Sequence, residues 1–350
     1  MGRSNFVTLL IFAAIIVVFP LALKNPYYLR VATFAGINSL VCIGLSLLLG
    51  YAGQISIGQA GFFAIGAYSS AILTVQFGCN PWAGVAAGIC LNALVAFLVG
   101  IPTLKLRGHY LAMATLGIGE IIHVVLKADT EDITRFIAWF GAKLGWNPAH
   151  LTEWLQPYRA LTGGPSGLVD IPAVGALKWG SVELAEQYVR FYLVWGVVCL
   201  AMLLSLNLIH SRIGRALRAI HGNEEAARAM GVNTTPLKLG IFVISAGLAS
   251  IAGSLYAHCV GFISPVTFSI NESILFLVMV AVGGMMNVWG ALVGTIIMTA
   301  LPESLRFFHD FDILVYGLIL LLIMMFMPHG IVGLIQKLFT FEKKAKTGDT

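Results

Sequence analysis

The sequence predicts an all-α fold, a polytopic membrane helix bundle of about ten transmembrane helices with broken or re-entrant elements among them. Three observations point there. Of 350 residues, 58% are apolar and only 11% are charged, with a mean hydropathy of +0.89. A soluble fold of that size needs far more polar surface to cover its core. Apolar runs of about 18 or more residues recur along the chain, each long enough for a span. Finally, several of the 38 glycines gather inside those runs, where they weaken a regular helix.

The runs fall at about 6–23, 32–50, 60–77, 82–104, 110–126, 189–208, 237–258, 272–286, 290–306 and 311–327. The first follows Arg3 and is longer than a signal-peptide core, with no small-residue cleavage site before "KNPYY", so it reads as a retained span. Lys and Arg set the expected orientation. With the N-terminus cytoplasmic, "KLRGH" at 105–109, the strip 209–236 and the tail 336–350 with Lys337, Lys343, Lys344 and Lys346 all fall inside. Both termini are then cytoplasmic, and residues 127–188, which carry Asp129, Glu131 and Asp132, form an extracytoplasmic insertion within a single 1–350 membrane domain. The five cysteines show no metal-binding spacing and read as small buried hydrophobes, with a Cys79–Cys259 disulfide as the one bond left open.

"GYAGQISIGQAGFFAIGAY", residues 50–68, is an odd membrane segment. It sets Gln54, Ser56 and Gln59 among Gly50, Gly53, Gly58 and Gly61. Amides that leave water need hydrogen-bond partners, and broken helix at membrane depth is tolerated where it is buried in protein or lines a cavity. One reading is a re-entrant or unwound element along a translocation pathway. The other is a tight helix contact made by small residues such as Ala60 and Ala64. A second cluster, "AVGGMMNVWGALVG" at 281–294, repeats the pattern with Gly283, Gly284 and Asn287, which suggests a two-bundle internal repeat.

Glu120 lies inside the fifth run, with His123 three residues on along the same helical side. A charge near the bilayer centre costs roughly 2.5–3.5 kcal/mol, so Glu120 is expected to face the bundle interior or an aqueous cavity. It serves there as a hydrogen-bonded structural carboxylate or, with His123, as a proton relay. Glu272 and Glu303 fall near span ends and read as interfacial. The insertion holds Trp139, Trp146 and Trp154, suited to an interfacial helix, and then the turn-rich "LTGGPSGL" at 161–168. It makes either a docking platform or a cap over the bundle.

One hydrophilic island interrupts the second half. Asn223 can cap a helix, Glu224 and Glu225 favour its first turn, and Ala226, Ala227, Ala229 and Met230 propagate it until Gly231 ends it. Arg212, Arg215 and Arg218 precede it. A solvated positive-inside loop near anionic lipid explains the arginines. A compact capped helix with a small-residue surface fits a cleft on a soluble protein partner better.

"EAARAMG", residues 225–231, resembles the Glu-Ala-Ala-x-x-x-Gly motif of permease subunits in bacterial ABC importers, and Ile241 falls at that motif's downstream isoleucine. The Leu-Pro pair expected after it is missing. The closer resemblance is to the M-type permease of branched-chain amino-acid ABC importers. It is carried by "GYAGQISIGQAGFFAIGAY", "ATLGIGEII", "LTGGPSGL", "NEEAARAMGVNTTPLKLGIFVISAGLASIAGSLYAH" and "ILFLVMVAVGGMMNVWGALVG", in that family's order, from about 30 to 330. His123 stands where arginine often follows "GEII", and "MMNVWGALVG" where a glycine and a proline are usual.

The resemblance implies a permease of the bacterial inner membrane, paired with an H-type paralogue. Two ATPase subunits and a periplasmic or extracellular substrate-binding protein complete the expected assembly. Residues Asn223, Glu224, Glu225, Ala226, Ala227 and Gly231 then couple to the ATPases. The pathway takes Gly53, Gln54, Ser56, Gly58, Gln59 and Glu120, together with Gly283, Gly284 and Asn287. ATP and magnesium are expected on the partner subunits, and this chain is expected to hold no cofactor or metal and to catalyse nothing. The sequence contains no GxxxxGK[ST] phosphate loop. Membrane lipid is an expected partner and nucleic acid is not. Leucine, isoleucine and valine are the expected cargo, while urea and short amides belong to branches with the same pattern. A proton-coupled secondary transporter built on Glu120 and His123 is the rival from another class, and it leaves the capped helix unexplained.

Overall fold

A computed structural model describes residues 3–22, 25–104, 106, 108–128, 162–173 and 186–305, with isolated positions between 135 and 333. Apart from such positions, the expected span at 311–327, the tail 336–350 and most of the insertion, including Trp146 and Trp154, lie outside the described residues.

Helix α1, Arg3–Ala22, leads into α2, Pro26–Ser46, whose start is fixed by Pro26 and by Asn25 Oδ1 accepting from Tyr27 N at 3.0 Å. The end of α2 widens into a π turn, Leu47–Tyr51. Then come α3, Gln59–Val75, α4, Pro81–Thr103, and α5, His109–Lys127. After the insertion follow α6, Glu186–His210, α7, Arg212–Gly222, and α8, Glu224–Ala229. Helices α9, Thr234–Val260, α10, Ile270–Gly283, and α11, Val288–Leu305, complete the described order.

Among the described residues, six helices are long and apolar enough to cross a membrane: α2 with its π turn, α4, α5, α6, α9 and α11. Shorter apolar helices lie within α1 and at α3 and α10. Nine of the ten runs read from the sequence are therefore helical. With 17 and 14 residues, α3 and α10 fall short of the ~20 that a full span needs. Helix α3 begins inside the bundle, at the buried Gln59. No β-strand forms among the described residues beyond one isolated bridge, Leu168 to Ile263.

Helix α9 runs through the middle, packed on α2, α3 and α4. Close approach depends on small residues, as expected where lipid removes the hydrophobic drive between helices. A side chain at Gly66 would meet the backbone of Ser250, and one at Gly253 would meet the Phe63 carbonyl. Asn92 Nδ2 donates to the Phe62 carbonyl at 2.7 Å and Ser254 Oγ to the Gly66 carbonyl at 2.9 Å, so these buried polar groups tie α4 and α9 to α3. Phe63 packs on Phe268 and Tyr256, with ring centroids 5.3 and 5.5 Å away.

At the end of the bundle opposite α8, the strap 162–173 is stitched to the bundle rather than projecting from it. Leu168 N donates to Ile263 O at 2.8 Å, Ile263 N returns the bond at 3.0 Å, and Ile171 N donates to Gly261 O at 3.1 Å. His258 Nδ1 bonds the Pro172 carbonyl at 2.7 Å, which leaves Nε2 of the neutral ring to accept from Ser70 Oγ at 2.7 Å. "LTGGPSGL" is thus a cap in its described part. All five cysteines are free, so the Cys79–Cys259 bond left open by the sequence does not form, and Cys79 and Cys90 are exposed rather than buried.

Candidate functional site

The helical path breaks at residues 53–58, between the π turn and α3. Gly53 turns the chain at φ +65, a conformation that favours glycine. The unwound backbone finds its partners across the bundle, since Ile57 N donates to Thr115 Oγ1 at 3.1 Å and Ala60 N to Ser273 Oγ at 3.0 Å. Gly58 lets α5 approach, because a side chain there would meet the Thr115 carbonyl. Gln59 Nε2 donates to Ser245 Oγ, 3.0 Å away and near the middle of α9. The segment therefore runs from one end of the bundle toward its middle.

Its polar side chains are buried without full satisfaction. Gln54 is 1% exposed, and neither its Oε1 nor its Nε2 has a hydrogen-bond partner. Ser56 Oγ and Gln59 Oε1 are also unpartnered. An unmet buried polar group costs about 1–3 kcal/mol, a cost that packing alone gives no reason to bear.

The hydrophilic island folds as two short helices. Ser211 Oγ accepts from Ile213 N and Gly214 N at the start of α7, whose Gly214, Leu217 and Ile220 face inward. The sequence reading noted the arginines of this stretch and missed the helix, although Ser211 and the spacing of Leu217 and Ile220 signal it. Asn223 Oδ1 then accepts from Glu225 N and Ala226 N, both at 3.0 Å, to cap α8. Gly231 ends the turn at φ +84.

Glu224 holds α8 in place. It accepts from Arg228 Nη2 and from Lys238 Nζ, both at 3.0 Å, and from Thr234 Oγ1 at 3.3 Å. Lys238 is only 7% exposed in its side chain. Ala227 is buried, whereas Glu225, Ala226, Ala229 and Gly231 are exposed and Met230 is 85% exposed. Glu224 is thus committed to this chain, and Ala226, Ala229, Met230 and Gly231 form an exposed surface.

The broken segment and the island share one cleft of about 380 Å³. Gly53 and Gln54 line it on one side, and His221, Asn223, Glu224, Glu225 and Lys238 on the other. Contact is close, since a side chain added at Gly53 would lie 3.1 Å from His221 Nδ1. An amide that can both donate and accept stands at the edge of this cleft.

The second glycine cluster forms the turn between α10 and α11. Gly284 takes φ +119, and Gly283 packs so tightly on α11 that a side chain would meet the Gly290 carbonyl. Asn287 Oδ1 accepts from Trp289 N at 3.0 Å, which commits that amide to capping α11. The end of α2 and its π turn touch this second turn, where Ser46 Oγ donates to the Met285 carbonyl at 3.0 Å and where Gly50 leaves room for the same carbonyl.

Glu120 stands beside the first break, at a small gap that it shares with Ile57. It pairs with His123 Nδ1 at 3.3 Å, and its side chain is 45% exposed, outside the packed interior, where the bundle interior or an aqueous cavity was expected. The gap it lines with Gly61 and Ser273 is about 10 Å³. Its neighbours explain the difference: Leu111, Ala112 and Thr115 carry the buried face of α5, and Glu120 lies off that face. Among the described residues no cluster of His, Cys, Asp or Glu could hold a metal ion.

The comparisons with known proteins agree with this architecture. The family model described as "Branched-chain amino acid transport system / permease component" matches residues 27–328. The high-affinity branched-chain amino acid transport system permease protein LivM of Salmonella typhimurium is 29% identical over 338 residues, spanning 91% of this chain and 72% of that protein. LivH of the same organism, a permease protein of the same named system, is 28% identical over 313 residues, 86% of this chain and 92% of its own. A probable LivM of Methanocaldococcus jannaschii is 22% identical over 348 residues, 85% and 90% of the two chains. No solved structure matches. A bundle of apolar helices with an unwound core segment, matched over most of its length by one family model, belongs to the branched-chain amino-acid transport system permease family.

Proposed function

We propose that this chain is one of two membrane subunits of an ATP-driven importer that moves leucine, isoleucine and valine into the cytoplasm by alternating access. The observation that carries the reading is the shared cleft: Asn223, Glu224 and Glu225 at the start of α8 line it together with the unwound Gly53–Gln54. A force on α8 from a soluble partner has only to cross that cleft to reach the broken helix. In this reading two ATPase subunits dock on Glu225, Ala226, Ala229, Met230 and Gly231. An H-type paralogue completes the membrane pore, as the pairing of LivM and LivH names in one organism suggests. A substrate-binding protein delivers cargo on the opposite side, ATP and magnesium stay on the ATPases, and both termini of this inner-membrane chain are cytoplasmic.

The chemistry of the broken segment fits a zwitterionic cargo. The segment's unpartnered side-chain atoms, the Gln54 amide with a donor and an acceptor, Ser56 Oγ and Gln59 Oε1, could meet a carboxylate and an ammonium. The test is uptake of labelled leucine and of labelled urea by a bacterium lacking this chain and rescued with it. Restored leucine uptake that depends on ATP and survives loss of the proton gradient supports the reading. Restored urea uptake keeps the mechanism and replaces the cargo. Uptake that collapses with the proton gradient while ATP is maintained removes the ATP-driven mechanism.

A further inference from the structure

Arg30 and Arg190 line a cavity of about 350 Å³ at the end of the bundle opposite α8, where α2 and α6 begin and α9 ends. Its electrostatics favour an anion. Arg190 gives Nη2 to Glu186 at 2.5 Å and Nη1 to the Cys259 carbonyl at 2.8 Å, while its buried Nε–H has no acceptor. The one carboxylate at the cavity is thereby used, and the exposed Arg30 adds a second positive charge. The N-termini of α2 and α6 add their positive dipole ends, while the Cys259 carbonyl near the end of α9 is already occupied.

The lining also has two chemistries in the order that an amphiphile needs. Arg30 and Glu186 are exposed, whereas Leu29 is buried and Phe34, one turn further along α2, is half-buried. Three helix ends meeting here mark the level of the membrane interface. Tyr27 and Tyr28, both exposed in the first turn of α2, are the residues expected at headgroup height. Basic pockets between membrane helices hold lipid headgroups.

We propose that this cavity binds the phosphate group of a membrane phospholipid, with Arg30 and Arg190 on the phosphate and the glycerol end of the acyl chains against Leu29 and Phe34. The site depends neither on which way the chain crosses the membrane nor on what it transports. The probe is phosphatidylglycerol, titrated onto the full chain purified from membranes and followed by native mass spectrometry. Arg30→Gln removes an exposed charge without disturbing the Arg190 contacts, and it should weaken retention of one phosphatidylglycerol about fivefold. Lys127→Gln, an exposed lysine at the end of α5 and outside the cavity lining, should leave it unchanged. Equal retention by wild type and Arg30→Gln overturns the site, as does an equal loss with Lys127→Gln, which would report bulk charge alone. Inorganic phosphate and glycerol 3-phosphate form the other arm. If either binds as tightly as the lipid, the site is for a free anion and the lipid assignment fails.

Discussion

The Lys238 ammonium lies 3.0 Å from a Glu224 carboxylate oxygen, tying the first residue of α8 to the second turn of α9. Lys238 is buried and Glu224 mostly so, so this pair is shielded in a way that surface ion pairs are not. A double-mutant cycle of Glu224→Gln and Lys238→Met, read by denaturation in detergent, should give a coupling of about 1.5–3 kcal/mol, the range for charged hydrogen bonds. Leucine uptake should drop with either single change while membrane levels hold. A coupling near zero would remove Glu224 as the anchor of α8.

Gly231 takes φ +84, yet a side chain there would meet nothing within 4 Å of its Cβ. Gly231→Ala should therefore cost only backbone strain, on the order of 1–2 kcal/mol, and keep most uptake. Gly231→Trp adds bulk to the exposed surface where the ATPases are proposed to dock. It should abolish uptake and co-purification of the ATPase subunits while membrane insertion persists. Normal uptake by the Trp variant would sink the docking role.

Gln54 gives a prediction of unusual sign. Because both polar atoms of its buried amide are unpartnered, Gln54→Leu should leave stability unchanged or raise it, by up to about 3 kcal/mol. Uptake should nevertheless fall at least tenfold. Melting temperature and leucine uptake on the same variant decide the matter: a less stable protein with unchanged kinetics would mean that the amide serves packing alone.

Two glycines in different spans should behave oppositely. Gly50→Ala drives a methyl group into the Met285 carbonyl, and backbone cannot move aside as a flexible side chain can. The expected cost is about 1–3 kcal/mol, seen as a lower melting temperature and reduced assembly. Gly117→Ala meets nothing within 4 Å and, in the middle of α5, should be neutral or slightly stabilising. Equal effects would refute the contact between the π turn and the α10–α11 turn.

Local chemistry was readable in the sequence, and distant pairing was not. Asn223 and Gly231 announce the limits of α8 because capping and left-handed termination act within a few residues. The break at 53–58 was visible as glycines and amides in an apolar run. Its partners Thr115, Ser245 and Ser273 were not, being ordinary polar residues in three other helices. Glu224 and Glu225 look interchangeable in sequence. Only folding brings Lys238 against the first and leaves the second exposed. Glu120 shows the converse, since an isolated carboxylate in a span gives its depth but not its direction around the helix.

Helix α9 begins with Thr234, whose hydroxyl bonds Glu224 of α8, and carries His258, bonded to Pro172 of the strap, near its other end. Its 27 residues make an uninterrupted rod about 40 Å long. A rod gripped at both ends ties α8 to the strap with no flexible joint between them. In the proposed importer, a tilt of the Thr234 end with α8 would therefore be felt at the His258 end and the strap, on the far side of the membrane.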